Sequence, residues 1–193
     1  MIQVLNRQRR IRIDSGAVNF FCGALAESLD LSEYAFSVIF VGPSAIRRLN
    51  GAWRKKDRAT DVLSFSYGDE IVDGLPFLGE IVISPEVAAR QAESKQRRPG
   101  GASRLVAAGC KPAGSVISGQ EKNCRPIPAG EQDGFAFDST EREIRKLIVH
   151  GVLHLMGYDH ETDDGDMLRM QNRVLRRRFF MAAPYLFMGI KGR

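Results

Sequence analysis

Cysteine is scarce in this chain of 193 residues, with only Cys22, Cys110 and Cys124, and no two of them form a CxxC pair. An odd number without metal-ligand spacing argues against both a disulfide framework and a zinc ribbon, so the thiols read as reduced ones of an intracellular protein. A long apolar run is also missing. The longest, Phe179 to Ile190, contains Pro184 and falls well short of the roughly 20 residues a membrane-spanning helix needs. The N-terminus, MIQVLNRQRRIRID, turns polar and then basic after its first five residues, whereas an export signal needs roughly 7 to 15 continuous apolar residues. These absences predict a soluble, cytoplasmic protein.

Hydrophobic residues make up 44% of the chain and charged residues 26%, which predicts a single domain over residues 1–193 with a true core. The 28 basic residues exceed the 23 acidic ones, giving a formal charge of +5 and favouring a polyanionic partner. Along the chain, strands are expected at Ile2–Leu5, Ala35–Val41, Asp61–Phe65 and Gly79–Ile83, with a polar loop holding Gly68, Asp69, Asp73 and Gly74 between the last two. Helical spacing is found over Ala17–Leu29 and again at Ile46, Leu49 and Trp53. Ser84 and Pro85 form a start signal for a helix to about Gln96, with the serine as its cap. Residues 95–138 hold 7 of the 19 glycines and 4 of the 8 prolines without an apolar period, and read as a flexible insertion. Thr140 and Glu143 have capping-box spacing ahead of an amphipathic helix, and a last helix is expected from about Asp163 to Phe180. The alternation implies a mixed α/β or α+β domain, read as α+β with a small mixed sheet packed against helices.

All three histidines, His150, His154 and His160, lie in one window, HGVLHLMGYDH. Random placement would cluster them this tightly on the order of 1% of the time, so the grouping carries information. At 100° per residue His150 and His154 project within about 40° of each other, one helical turn apart, a bite that lets two imidazoles share a metal. Gly157 can take the left-handed conformation that ends the helix, letting His160 swing back as a third ligand. Three imidazoles suit one Zn²⁺ and leave a fourth position for water, although nickel and copper also accept such ligands. The H-x3-H-x5-H spacing matches the long metalloprotease motif HExxHxxGxxH except at its second position, where Gly151 replaces the glutamate base, and this argues against peptidase chemistry. Glycine inside a helix costs about 1 kcal/mol relative to alanine, so a close neighbour, such as an adjoining strand, is expected beside Gly151.

Upstream, WRKKDRAT gathers Arg54, Lys55, Lys56 and Arg58, either as a solvated face or as phosphate contacts. LNGAWRKKDRATDVLSF, LGEIVISPEVAARQA and HGVLHLMGYDH, in this order along the chain, together resemble the YbeY family of endoribonucleases, over roughly Met1–Glu93 and Ser139–Phe180. The resemblance implies a zinc-dependent endoribonuclease preferring single-stranded RNA, linked to maturation of small-subunit ribosomal RNA and to ribosome quality control. It also implies His150, His154 and His160 as metal ligands and Arg54 as the arginine needed for activity. Its partners would be ribosomal RNA and ribosomal particles, without DNA or membrane. Asp61 would be a helper residue or an ordinary strand-edge hydrogen-bonding group, and Asp159 an orienting or proton-accepting carboxylate or a turn cap.

The basic insertion at 95–138 departs from the family pattern, which has a shorter link there, and reads as a spacer or an RNA-touching arm. The apolar C-terminal stretch FFMAAPYLFMGI is expected to pack on the body, with a membrane-surface contact as the alternative. Two other functions stay open at this point. One is a metallopeptidase-like zinc hydrolase; the other is a non-catalytic ribosome assembly factor with a structural zinc.

Overall fold

The fold was obtained as a computed structural model that describes residues 1–68, 70–96, 132–160, 162–176 and 186–190. Its strands are β1 (Ile2–Asn6), β2 (Ile11–Ile13), β3 (Ala35–Phe40), β4 (Val62–Ser66), β5 (Ile71–Val72), β6 (Leu75–Ile83) and β7 (Phe187–Ile190). The helices are α1 (Ser15–Ser28), α2 (Pro43–Arg54), α3 (Pro85–Gln96), α4 (Gln132–Leu155) and α5 (Asp166–Leu175). The main sheet runs β1-β3-β6-β4, parallel except for β4, which returns antiparallel along β6; β5 also pairs with β6. This is the α+β domain with a small mixed sheet that the pattern of elements predicted.

Strand β3 explains how the layers form. Its sequence AFSVIF is buried at every position, because helices cover both faces of a central strand and an alternating pattern is not required there. On one face Phe36, Val38, Phe40, Ile81 and Ile83 pack with Phe21 and Leu25 of α1 and with Ile148 and Val152 of α4. On the other face Ile39, Val41, Leu63 and Val82 meet Ile46 of α2. The histidine helix is therefore anchored in the larger core, while α2 crosses the opposite face and brings its C-terminal end towards the edge strand β4.

Several boundaries differ from expectation. Helix α4 begins at Gln132, so Thr140 lies inside it and does not cap it, and residues 132–138 of the expected insertion are helical. The carboxylate of Glu143 pairs instead with Lys95 of α3 at 2.7 Å, which removes it from any capping box. Ser84 precedes α3 and its carbonyl accepts from the amides of Val87 and Ala88, but its buried hydroxyl finds no partner and does not cap. The expected polar loop contains β5, closed onto β6 by Asp73 and Gly74, both at positive φ, an Asp-Gly turn whose twist suits a two-residue hairpin. Helix α5 starts at Asp166, with the Asp163 carboxylate accepting from the amides of Gly165 and Met167.

Strands β2 and β7 escaped the periodicity altogether. They form a separate antiparallel ribbon, and Leu186, which leads into β7, is fully buried, so this part of the apolar C-terminal stretch packs on the body. Residues 97–131, Asp69, Cys110, Cys124 and residues 177–185, on which parts of the expected insertion, the thiols and the last helix fall, lie outside the described residues. Cys22 is buried in α1, and burial pushes its thiol up to about 12, well away from a reactive thiolate. Among the described residues no helix is long and apolar enough to cross a membrane.

Candidate metal centre

The end of α4 assembles the site. Gly157 has φ +90, a left-handed conformation that costs glycine little. The Tyr158 amide donates to the Leu153 carbonyl and the Gly157 amide to the His154 carbonyl, both at 3.0 Å, the paired bonds of a Schellman motif. The chain then reverses, and Asp159 holds the following turn through its carbonyl, which accepts from the amides of Thr162 and Asp163. His160 is thereby carried back beside the two helical histidines. Ring centroids of His150, His154 and His160 lie 4.7 to 5.2 Å apart.

The polar partners of these rings decide what they can do. Nδ1 of His154 lies 2.9 Å from the Tyr158 carbonyl, which can only accept, so this contact favours the tautomer with the proton on Nδ1 and the lone pair on Nε2. Nδ1 of His150 faces the Gln171 Oε1 at 3.1 Å, which places its proton likewise. The two Nε2 atoms face one another at 3.2 Å, and in the tautomers that these partners favour both present a lone pair. Two imidazole nitrogens on a tetrahedral zinc, at about 2.0–2.1 Å from the ion, lie roughly 3.3 Å apart, so a cation resolves the repulsion and fits the spacing. One potential ligand atom from each of the three histidines lies within 4.8 Å of the others, a group able to hold a metal ion. Burial and the neighbouring His154 lower the pKa of His150, favouring the neutral form that has a lone pair to offer.

Gly151 is where a side chain would collide. A Cβ there would lie 2.6 Å from Cγ2 of the fully buried Ile81 on β6, so the close neighbour expected from the sequence is a strand side chain. We predict that Gly151→Ala lowers stability by about 1–2 kcal/mol in urea denaturation, because overpacking of about 1–3 kcal/mol outweighs the helix-propensity gain of about 1. In an Ile81→Ala background the same change should become neutral or stabilising. An equal loss in both backgrounds would refute the packing account.

The histidines open onto a cleft lined by Arg54, Val62, Leu63, Ser64, Ser66, Gly157, Tyr158 and Asp159. Arg54, the last residue of α2, thus stands on the same cleft as the histidine cluster, across from α4. Asn50 positions the segment that follows it: its carbonyl accepts from the Lys56 amide at 3.2 Å and its side-chain amide donates to the Arg58 carbonyl at 2.8 Å. Asp57, the one acid within WRKKDRAT, is taken by Arg47 of α2 through two contacts of 2.7 Å, and no carboxylate among the described residues pairs with Arg54. Asp61 takes its ordinary role: its carboxylate accepts from the Thr60 hydroxyl and the Val62 amide, and it does not line the cleft.

Gln171 and Asn50 escaped the sequence reading. Gln171 left a legible trace, standing between Met167 and Val174 on the buried stripe of α5, where a lone amide signals a polar partner inside. Asn50 left none, because its bonds reach across a loop whose path the sequence does not reveal.

The segments that carry this geometry lie within a match to known proteins. The model of a family described as "Endoribonuclease YbeY" matches residues 3–105 and 129–178. Relatives described by the same words include one from Aquifex aeolicus, 29% identical over 174 residues and covering 89% of this chain and 87% of its own. Another, from Limosilactobacillus reuteri, is 35% identical over 153 residues, 78% of each chain. The fold is similar to the solution structure of a Thermotoga maritima protein, with a TM-score of 0.52, 23% identity, and coverage of 94% of this chain and 91% of that one. With the family match on both sides of the central segment and the histidine cluster inside its second part, the chain belongs to the YbeY endoribonuclease family.

Proposed function

We propose that this protein is a zinc-dependent endoribonuclease that cuts single-stranded RNA, with His150, His154 and His160 as the metal ligands and Arg54 as a catalytic residue. The observation that carries the reading is the convergence of the three imidazoles, with two Nε2 atoms 3.2 Å apart and an oxygen beside Nδ1 of each of those two rings. Zinc in such a site supplies Lewis acidity to water or to a phosphoryl oxygen. The chain does the rest. Gln171 and the Tyr158 carbonyl hold the imidazoles in the tautomer and orientation that keep Nε2 directed at the ion. The Arg54 guanidinium offers its planar fork to the phosphodiester and neutralises charge that develops on the phosphoryl oxygens. Asp159 is the one carboxylate lining the cleft among the described residues; it would take the proton of the attacking water or ribose hydroxyl as the new P–O bond forms, and return it to the ribose oxygen that leaves as the old P–O bond breaks.

The biological substrate of this reading is ribosomal RNA on or near ribosomal particles, in small-subunit maturation and ribosome quality control in the cytoplasm. The expected basic surface supports it, with Lys55, Lys56 and Arg58 exposed beside Arg54. A peptidase reading is disfavoured because Ile81 occupies the space that a glutamate at position 151 would need. A purely structural zinc would need a fourth protein ligand, and no Cys, Asp or Glu joins the three histidines among the described residues.

The test is metal removal. Purified protein should carry about one zinc per chain and cleave a single-stranded fragment of small-subunit ribosomal RNA; chelation should abolish cleavage, and zinc should restore it. Undiminished cleavage by metal-stripped protein would end the proposal.

A further inference from the structure

Trp53 is the only tryptophan in the chain, and 70% of its surface is exposed. An indole left in water forgoes the burial that ordinarily places tryptophan in a core, so its setting calls for an explanation. The ring makes a T-shaped contact with Phe65, with centroids 5.7 Å apart and planes at 62°, and most of its surface stays in water. Phe65 belongs to β4, which lines the cleft through Leu63, Ser64 and Ser66. In the other direction, Trp53 adjoins Arg54, on the cleft itself, and the exposed Lys55, Lys56 and Arg58 follow. Neither Trp53 nor Phe65 lines the cleft, so the indole is an exposed apolar platform just outside it, next to Arg54 and among exposed cations.

We infer that Trp53, braced by Phe65, is a stacking subsite for an unpaired nucleobase of the RNA, beside the phosphodiester that Arg54 engages. Charge selects the occupant. The surrounding cations attract a phosphate backbone, and a base in single-stranded RNA presents both a π-face and the attached phosphates, so one ligand satisfies both features. A paired base has its faces covered by its neighbours in the helix, and the subsite therefore gives the chain a means of preferring single strands. This inference rests on the endoribonuclease reading above and names a part of the same site.

The single tryptophan makes the test direct. Full-length, zinc-loaded protein is mixed in a stopped-flow fluorimeter with a twelve-nucleotide single-stranded RNA, or with the same oligomer carrying abasic riboses throughout. The intact oligomer should quench Trp53 emission before cleavage begins, and the abasic one should not. In steady-state cleavage, Trp53→Ala should raise KM about 10-fold, within the roughly 5- to 150-fold that a stacked base is worth, with zinc content and melting temperature unchanged, while Trp53→Phe should retain most of the affinity. Equal quenching by both oligomers, no quenching by either, or an unchanged KM in Trp53→Ala would overturn the inference and leave the indole as a surface for a protein partner. Wild-type protein that quenches with RNA but never cuts it would sink the nuclease reading and leave the stacking subsite standing.

Discussion

His154→Ala should strip the protein of its metal and of its RNA cleavage together. The residue lies in the last turn of α4, where alanine is a better helix former than histidine, and its ring is only partly buried, so the helix should survive the change. What is lost is one of three convergent nitrogens, on an imidazole whose Nδ1 lies beside a main-chain carbonyl. Gln171→Leu supplies the scale. It keeps all three imidazoles and removes only the amide that orients His150, a kind of change that costs about 10- to 100-fold in metal affinity. His154→Ala should exceed that, leaving no zinc after dialysis, as read by metal analysis, and cleavage at background. Circular dichroism should remain native. Retention of stoichiometric zinc by the variant would contradict the assignment of His154 as a ligand.

The sequence made the histidine site legible because its determinants are local. A one-turn spacing, a glycine able to end the helix and a third histidine three residues later lie in one continuous window, and local rules of helix geometry suffice to bring them together. The absence of a glutamate at position 151 was legible for the same reason, although its physical cause, Ile81 on a strand 70 residues upstream, was visible only as a demand for space. The central strands were legible as well: AFSVIF and GEIVI are apolar runs of strand length bounded by turn residues. What could not be read depends on distant partners. Thr140 and Glu143 have the spacing of a cap, but Lys95 claims the glutamate and the chain upstream is already helical. Strands β2 and β7 are three and four residues long, too short for periodicity, and each exists through pairing with a segment almost the whole chain away. Asn50 acts across a loop whose path no spacing encodes, and Gln171 shows in the sequence only as a lone amide on a buried stripe, without its partner.

Arg54→Ala separates binding of the metal from use of it. Arg54 projects from the end of α2, on the face of the sheet opposite the core that holds α4, and shares only the cleft with the histidines. Its removal should leave zinc content and melting temperature unchanged, since the side chain is exposed and no carboxylate among the described residues depends on it. Cleavage should fall by about 10²- to 10³-fold, the loss typical of removing one donor aimed at charge that develops in a transition state. The loss should appear mainly in kcat, because the neighbouring Lys55, Lys56 and Arg58 still attract the RNA and ground-state binding is shared among them. Arg54→Lys should recover only part of the activity: it restores the charge but not the planar fork that grips two phosphoryl oxygens at once. Full recovery with lysine would reduce Arg54 to one more surface cation, and a loss of zinc in Arg54→Ala would mean that the two halves of the cleft are mechanically coupled across the sheet.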